Sequence, residues 1–190
     1  MKLGIVGFGV VGSATAKGLK QFGNEVYITD TDRKKLEENE DNFHARKNYN
    51  IAETDATFVC VPTGKYDKRG SRINDFYINS VFDKLGEQLR KNERYHVFVV
   101  RSTVLPGMTR ELGKKLEEIS GKKLGEDFGL AMNPEFLRAF NNEQDFVNPK
   151  ATIIGGYNER SRETVAKAYK TIEKTINFRA LEEAEEIKFL

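Results

Sequence analysis

The sequence predicts an α/β domain with a mostly parallel, six-stranded sheet and helices packed on both of its faces. Short apolar segments alternate along the chain with longer segments whose apolar residues recur at helical spacing. Parallel strands need helical crossovers, and helices on both faces explain why the predicted strands are apolar throughout. A chain of 190 residues is long enough for one such domain with its own core.

The predicted elements follow one another in β-α order. The six strands are rich in apolar and β-branched residues and cover residues 2–7, 25–29, 56–61, 95–102, 128–132 and 151–156. The six helices show one apolar face and cover residues 10–22, 32–38, 73–91, 109–120, 158–174 and 180–190. The stretch 64–74 contains two glycines and five charges, and we expect it to form a loop over a ligand crevice.

The composition excludes several classes of partner. The 31 basic and 29 acidic side chains leave a net charge of only +2, which gives no electrostatic case for nucleic acid or an anionic membrane. No apolar run approaches the roughly 20 residues of a membrane span. Cys60 is the only cysteine, so no intrachain disulfide can form. We therefore expect a cytoplasmic protein.

The sequence shows no metal-binding pattern. No cluster of His, Cys or carboxylate residues has the spacing of metal ligands, so we expect no metal. His96 lies in a predicted strand and is expected to be structural. His44 lies in a polar connection and is expected to be solvated.

A glycine-rich loop joins the first predicted strand to the first helix. Gly7, Gly9 and Gly12 have the spacing G-x-G-x-x-G. In a Rossmann-type site the first glycine allows a tight turn, the second lets the backbone approach a pyrophosphate, and the third lets the helix pack closely on the sheet. The helix N-terminus would then face the phosphates. The alternative is a glycine turn that only eases the packing of helix on strand.

Asp30, at the end of the second predicted strand, is in the position of the acidic residue that binds the adenosine ribose. Its charge would repel a 2′-phosphate, which favours NAD over NADP. Arg33, Lys34 and Lys35 are close in sequence and weaken that preference. The alternative role for Asp30 is to cap the helix that begins at Asp32.

Three further motifs follow the third, fourth and fifth predicted strands: VPTG, RSTVLPGMTR and MNPEFLRAF. With the glycine loop and the later segment DFVNPKATIIGG, they resemble the N-terminal domain of the UDP-glucose/GDP-mannose dehydrogenase family over nearly the whole chain. The resemblance implies NAD-dependent oxidation of the C6 alcohol of a nucleotide sugar to a carboxylate. In that reaction a cysteine captures the intermediate aldehyde between two hydride transfers.

The resemblance also assigns roles to matching residues. Thr103 would position a catalytic water, Glu135 would act as an acid or base, and Lys188 would stabilise oxyanion charge. Phe136, Leu137 and Arg138 would line the substrate side with Glu135. The residues that would contact the cofactor are Gly7, Phe8, Gly9, Val10, Val11, Gly12, Asp30, Lys35, Val61, Pro62, Thr63, Ser102, Thr103 and Val104.

Physical chemistry offers a second interpretation for two of these residues. Burial can raise the pKa of a carboxyl such as Glu135 and make it a general base, but a carboxylate at a helix start can also serve the helix dipole alone. Lys188 is the third residue from the end of the sequence and could instead be frayed and solvated.

This sequence departs from the family pattern at several points. The nucleophilic cysteine of the family belongs to a C-terminal domain, whereas Cys60 lies in an apolar strand and is expected to be inert. Ala139 stands where the family has a second glutamate. The resemblance therefore implies an NAD-binding domain over residues 1–178 and the start of a linking helix over 179–190. We expect the missing half to be a partner, and this chain alone to be inactive and monomeric or weakly dimeric.

The sequence does not distinguish UDP-glucose, GDP-mannose and N-acetylhexosamine nucleotides as substrates, because the family's nucleotide-recognition residues belong to the C-terminal half. Two alternatives to the dehydrogenase half remain. One is a stand-alone NAD-binding module with a regulatory or assembly role and no turnover. The other is a fragment of a different hydroxyacid-type dehydrogenase.

Overall fold

Eight strands of the described residues form one sheet. The computed structural model describes residues 1–63, 75–138 and 140–189, so the predicted loop 64–74 and Ala139 lie outside the described residues. The strands are β1 (Lys2–Val6), β2 (Glu25–Thr29), β3 (His44–Ala45), β4 (Ala56–Val59), β5 (His96–Val100), β6 (Phe128–Met132), β7 (Thr152–Gly156) and β8 (Ile176–Arg179). Their spatial order is β3-β2-β1-β4-β5-β6-β7-β8.

The predicted fold class is confirmed, and the predicted strand number is wrong. All neighbouring strands are parallel except β6 and β7, which pair antiparallel through Ala131 with Gly156 and Met132 with Gly155. The strands that the sequence did not indicate are the two at the sheet edges. β3 has only two residues, and β8 mixes polar and apolar residues, so neither shows the apolar run of a buried strand.

Helices cover both faces of the sheet, as predicted. They are α1 (Val10–Gln21), α2 (Arg33–Glu37), α3 (Phe76–Lys91), α4 (Met108–Ser120), α5 (Asn142–Val147), α6 (Glu159–Ala168) and α7 (Leu181–Ile187). One core cluster contains residues of α1, α2, α5 and α6, and the other contains residues of α3, α4 and α7. The short helix α5 was not predicted, and the predicted helix 158–174 ends at Ala168 before a 3-10 helix over Lys170–Thr175.

The C-terminal helix α7 packs on its own domain. Leu181 and Ala184 are buried, and the Glu185 side chain is completely buried beside them. Its carboxylate accepts hydrogen bonds from the N–H groups of Gly107 (2.6 Å) and Thr109 (2.7 Å), at the start of α4. Glu185 therefore caps α4 from another helix, which satisfies amides that would otherwise have no acceptor.

The two histidines occupy different environments. His96 is buried, with Nε2 2.8 Å from the Thr57 hydroxyl and Nδ1 3.2 Å from the Thr54 carbonyl oxygen. Burial lowers the pKa of His96 to about 4, which confirms a neutral, structural residue. His44 is half exposed, stacks on Tyr27 and lies in β3 rather than in an irregular polar connection.

Neither a membrane span nor a metal cluster is found in the part of the chain that the structure describes. None of its helices is both long and apolar enough to cross a bilayer. None of its His, Cys, Asp and Glu residues form a group of three or more that could hold a metal ion.

Candidate functional site

A cavity of about 1100 Å³ opens at the carboxyl ends of the parallel strands. It includes the place where the strand order reverses, between β1 and β4, which is where ligands bind in sheets of this kind. At least one residue that follows each of five strands reaches it: Gly7 after β1, Asp30 after β2, Val61 after β4, Ser102 after β5 and Glu135 after β6.

The three glycines of the loop have different structural reasons to be glycine. Gly7 has a φ of +93°, and a Cβ there would lie 2.8 Å from the Cys60 carbonyl oxygen. A Cβ at Gly12 would lie 1.9 Å from the Gly7 carbonyl oxygen. A Cβ at Gly9 would meet nothing within 4 Å. The packing interpretation therefore explains Gly7 and Gly12, but not Gly9, whose surroundings are open.

The N-terminus of α1 is left without a side-chain acceptor by the residues that the structure describes. Gly9 is the N-cap and has no side chain to accept from the first amides, and the first turn contains no acidic residue. Gly9, Val10 and Val11 all line the cavity. The partial positive charge of the helix dipole thus faces the cavity, in an arrangement that suits an anion such as a phosphate.

Asp30 fastens the glycine loop to the end of β2. Its Oδ2 accepts a hydrogen bond from the Phe8 N–H (2.6 Å), and its Oδ1 accepts one from the Asp32 N–H (2.8 Å). Lys35 Nζ lies 3.8 Å from Oδ2. Asp32, not Asp30, caps α2, through the Lys34 N–H. The helix-cap alternative for Asp30 is therefore wrong, and Asp30 lines the cavity together with Thr29 and Lys35.

The loops after β4 and β5 lie side by side. The Thr63 hydroxyl donates a hydrogen bond to the Thr103 carbonyl oxygen (2.5 Å), and the Ser102 hydroxyl donates to the Val61 carbonyl oxygen (2.6 Å). The predicted cofactor residues Val61, Pro62, Thr63, Ser102 and Thr103 all line the cavity. Because the hydroxyls of Thr63 and Ser102 donate to the backbone, they fix the wall of the cavity as well as lining it.

Glu135 and Lys188 form an ion pair next to this wall. Lys188 Nζ lies 2.7 Å from Glu135 Oε1 and also donates to the Glu135 carbonyl oxygen. Glu135 Oε2 accepts from the Leu137 N–H (2.8 Å). The side chains of Glu135 and Lys188 are only 16% and 19% exposed. The solvated interpretation of Lys188 is therefore wrong.

The pKa of Glu135 is shifted in the direction opposite to the sequence-based expectation. Burial disfavours its ionised form, but the Lys188 ammonium, the Leu137 N–H and the Arg101 guanidinium outweigh burial, and the pKa of Glu135 lies below its usual value. The expectation of a raised pKa is wrong in its net direction, because the carboxylate has a cation as its direct neighbour.

Comparison with known proteins gives the same assignment as these motifs. Residues 37–173 match the model of the UDP-glucose/GDP-mannose dehydrogenase family, NAD binding domain. The chain belongs to this family. Residues 1–70, with the glycine loop, also match the NAD binding domain of D-isomer specific 2-hydroxyacid dehydrogenases. Both matches are to NAD-binding domains, so the cofactor of this domain is NAD.

Individual relatives support the family assignment. GDP-mannose 6-dehydrogenase of Pseudomonas putida is 33% identical, in an alignment that covers 100% of this chain and 48% of the relative. UDP-glucose 6-dehydrogenase of Haloferax volcanii is 32% identical, over 89% of this chain and 44% of the relative. The chain thus spans about half the length of the curated relatives that it matches.

Solved structures of the family share the fold. In a ternary complex of GDP-mannose dehydrogenase from Pseudomonas aeruginosa, the matching part has a TM-score of 0.92 at 29% identity, covering 100% of this chain and 48% of that one. UDP-glucose dehydrogenase from Pyrobaculum islandicum gives 0.89 at 27% identity, over 99% of this chain and 48% of that one.

Some residues that the family resemblance assigns to the cofactor do not line the cavity. Val104 is completely buried in the core and does not line the cavity. Phe8 is buried and packs edge-on against Phe43. Gly12 is buried beneath Gly7. Phe8 and Gly12 therefore support the glycine loop from its buried side.

Of the residues that the family resemblance assigns to the substrate side, Glu135 lines this cavity, whereas Phe136, Leu137 and Arg138 lie outside it. Phe136 is about half exposed, with Lys188 Nζ 5.4 Å from its ring centroid. Leu137 packs against the core. Arg138 forms an ion pair with Asp145 (2.6 Å), whose pKa it lowers to about 2. Their contacts with a nucleotide sugar stay a prediction.

Cys60 is a buried thiol, and burial raises its pKa to about 12. At neutral pH it is almost entirely protonated, and a protonated thiol is a poor nucleophile. The prediction that Cys60 is part of the core is confirmed, although the residue also reaches the floor of the cavity.

Arg101 is a residue of this site that sequence reasoning missed. It is 4% exposed, reaches the cavity and donates hydrogen bonds to Thr15 and Asn133. The available signal was the position of this arginine directly after the apolar strand VFVV, because parallel strands are covered on both faces.

Proposed function

We propose that this chain is the NAD-binding half of a nucleotide-sugar 6-dehydrogenase, with NAD in the cavity and the sugar C6 near Glu135 and Lys188. The observation that carries the proposal is that one cavity connects the glycine loop to Glu135, whose carboxylate is paired with Lys188. A site for a dinucleotide therefore adjoins a pair of charged groups that are suited to alcohol oxidation.

The open surroundings of Gly9 and the uncapped start of α1 fit a pyrophosphate. Asp30 and Lys35 would lie at the ribose end, and Val61, Pro62, Thr63, Ser102 and Thr103 along the dinucleotide. When bound, NAD supplies the acceptor for a hydride.

The chain's own charged groups would act on the sugar oxygen. Glu135 is ionised at neutral pH because its pKa lies below the usual value, so it can accept a proton but has none to donate. The Lys188 ammonium would stabilise negative charge on the C6 oxygen. Thr103, in the adjacent wall of the cavity, would position a water.

The remaining parts of the reaction would come from a second half. We assign residues 1–178 to the NAD-binding domain and 179–190 to the start of a linking helix. The family's thioester chemistry needs a nucleophilic thiol, and Cys60, the only cysteine, is buried with a raised pKa. Recognition of the nucleotide and the second hydride transfer would also need the missing half, and we place the complete enzyme in the cytoplasm.

Absorbance of NADH at neutral pH tests the proposal, with UDP-glucose, GDP-mannose and their N-acetyl relatives as substrates. We expect no NADH from the 190 residues alone. Addition of a C-terminal half from a family member, fused or as a separate chain, should give turnover with one of these nucleotide sugars. The control is Glu135→Gln, which removes the proton acceptor with little change in volume.

Turnover that is unaffected by Glu135→Gln would contradict the assigned site. Binding of NADH by the chain, with no turnover in any reconstituted pair, would favour the stand-alone binding module instead.

A further inference from the structure

Arg101 is a buried cation that forms no close ion pair with the carboxylates of the described residues. It lies directly after β5 and is 4% exposed. No Asp or Glu of the described residues lies within 4.0 Å of its guanidinium. Burial of a charge without a counter-ion is costly, so a purely structural need would be met more easily by a neutral side chain.

Arg101 connects helix α1 with the segment that leads to Glu135. Its Nε donates to the Thr15 hydroxyl (2.7 Å), inside the helix that the glycine loop begins. Its Nη1 donates to Asn133, both to Oδ1 (2.5 Å) and to the carbonyl oxygen (3.2 Å). Asn133 lies two residues before Glu135, so the guanidinium clamps the start of this segment against α1.

The neighbours of Arg101 hold the clamp in place. The guanidinium carbon lies 5.0 Å from the centroid of the Phe146 ring. Tyr169 donates to Asn133 Oδ1 (2.6 Å), and Asn133 Nδ2 donates to the Ile153 carbonyl oxygen (2.7 Å). A planar guanidinium can donate to Thr15 and Asn133 at once while it lies over the Phe146 ring, whereas a lysine ammonium carries one point charge on a flexible stem.

The charge of Arg101 also acts on Glu135. Both side chains line the same cavity, and the guanidinium favours the ionised form of the Glu135 carboxyl. We propose that Arg101 is a positioning residue for Glu135, which anchors the Asn133–Glu135 segment to α1 and supplies a fixed positive charge to that end of the cavity. A catalytic consequence of this positioning rests on the proposed function, whereas the contacts of Arg101 with Thr15 and Asn133 do not.

Titration of Glu135 in the free 190-residue chain tests the proposal. The carboxyl 13C signal of Glu135 is followed against pH, and amide hydrogen exchange of Leu137, which donates to Glu135, is measured in parallel. In Arg101→Met the charge is lost, and we expect the pKa of Glu135 to rise by about 0.5 to 1 pH unit. Leu137 should exchange about tenfold faster, because the segment loses its anchor.

Arg101→Lys separates charge from geometry. It keeps the positive charge, so the pKa of Glu135 should change less than in Arg101→Met, but it loses the multiple bonds, so Leu137 should again exchange faster. Leu89→Ala is the matched control for lost stability, because Leu89 is fully buried in the other core cluster. It should lower the melting temperature without moving the Glu135 titration.

Wild-type values of both readouts in the Arg101 variants would overturn the proposal. Should Arg101→Met fail to fold, the exchange of Leu137 in Arg101→Lys decides. Neither readout involves NADH, so a failure of NADH binding would count against the proposed function and leave the role of Arg101 to be judged from these data.

Discussion

Lys188 Nζ lies 2.7 Å from Glu135 Oε1, although 53 residues separate them in the chain. The pair forms because α7 packs across the sheet, where its buried Glu185 caps α4, and this places the end of the helix over the segment after β6. Two residues that the family resemblance assigned to chemistry are therefore held together by the fold of this half alone.

Removal of Lys188 should shift the titration of Glu135. In Lys188→Met the carboxylate keeps its burial but loses its cation, so its pKa should rise above the wild-type value. The folded protein should lose about 1–3 kcal/mol at pH 7, since a largely buried charge is left without its partner. Urea unfolding and 13C titration measure the two effects.

The control for this variant is Lys17→Met. Lys17 pairs with Glu143 at 2.5 Å, but these side chains are 49% and 57% exposed. We expect a change in stability within about 0.5 kcal/mol. Equal losses in the two variants would contradict the special position of Lys188.

Alanine at Gly9 should weaken NADH binding, whereas alanine at Gly12 should lower the stability of the fold. Gly9→Ala should keep the melting temperature, because its Cβ meets no protein atom, but should weaken NADH binding more than about tenfold, because the Cβ would occupy the approach to the phosphates. Gly12→Ala should lose about 1–3 kcal/mol of stability through its clash with the Gly7 carbonyl oxygen. NADH titration and thermal unfolding of both variants test the pair. Unchanged affinity in Gly9→Ala would show that its openness serves no ligand.

Glu185 should contribute more to stability than its charged neighbour. Glu185→Gln replaces one acceptor oxygen by an amide group that opposes an N–H of α4, and we expect a loss of about 2 kcal/mol. Glu186 is exposed, and Glu186→Gln is the matched control with an expected change within about 0.5 kcal/mol. Urea unfolding at pH 7 measures both, and similar values for the two variants would rule out the cap.

His96 should make the fold sensitive to mild acid. Its pKa is about 4 in the folded protein and near 6.5 when unfolded, so between these values the unfolded chain binds the extra proton and stability falls as the pH falls. This residue alone should cost about 2 kcal/mol between pH 7 and pH 5. The difference in unfolding free energy between the wild type and His96→Phe, measured at both pH values, should shrink by that amount at pH 5. A difference that does not vary with pH would show that His96 is not buried in its neutral form.

Periodicity and glycine placement were enough to predict the central strands and the longer helices. β2 and β6 have the predicted bounds, because continuous apolar runs between polar turns have few alternatives. β3, β8 and α5 were missed because their residues are few or partly exposed and acquire their conformation from the neighbours they pack against.

The sequence predicted many of the residues that form the candidate site, but not the electrostatic interactions between them. The motifs indicated Glu135 and Lys188 as site residues. The pKa of a carboxyl depends on which groups lie next to it in space, however, and the ion pair with Lys188 reversed the expected direction of the Glu135 pKa shift. Glu185 was hidden in the charge-rich run EEAEE, which is typical of a solvated helix face. Arg101 was hidden because its partners Thr15 and Asn133 are remote in sequence and neutral.

Calorimetric titration of the wild-type chain with NADH and NADPH tests most directly whether the cavity at the glycine loop holds NAD. We predict saturable binding of one NADH per chain and weaker binding of NADPH, because the Asp30 carboxylate at the ribose end would repel a 2′-phosphate. Absence of NADH binding by the folded chain would contradict the assignment of the site. Equal or tighter binding of NADPH would contradict the role of Asp30, whose neighbours Arg33 and Lys35 would then determine the preference.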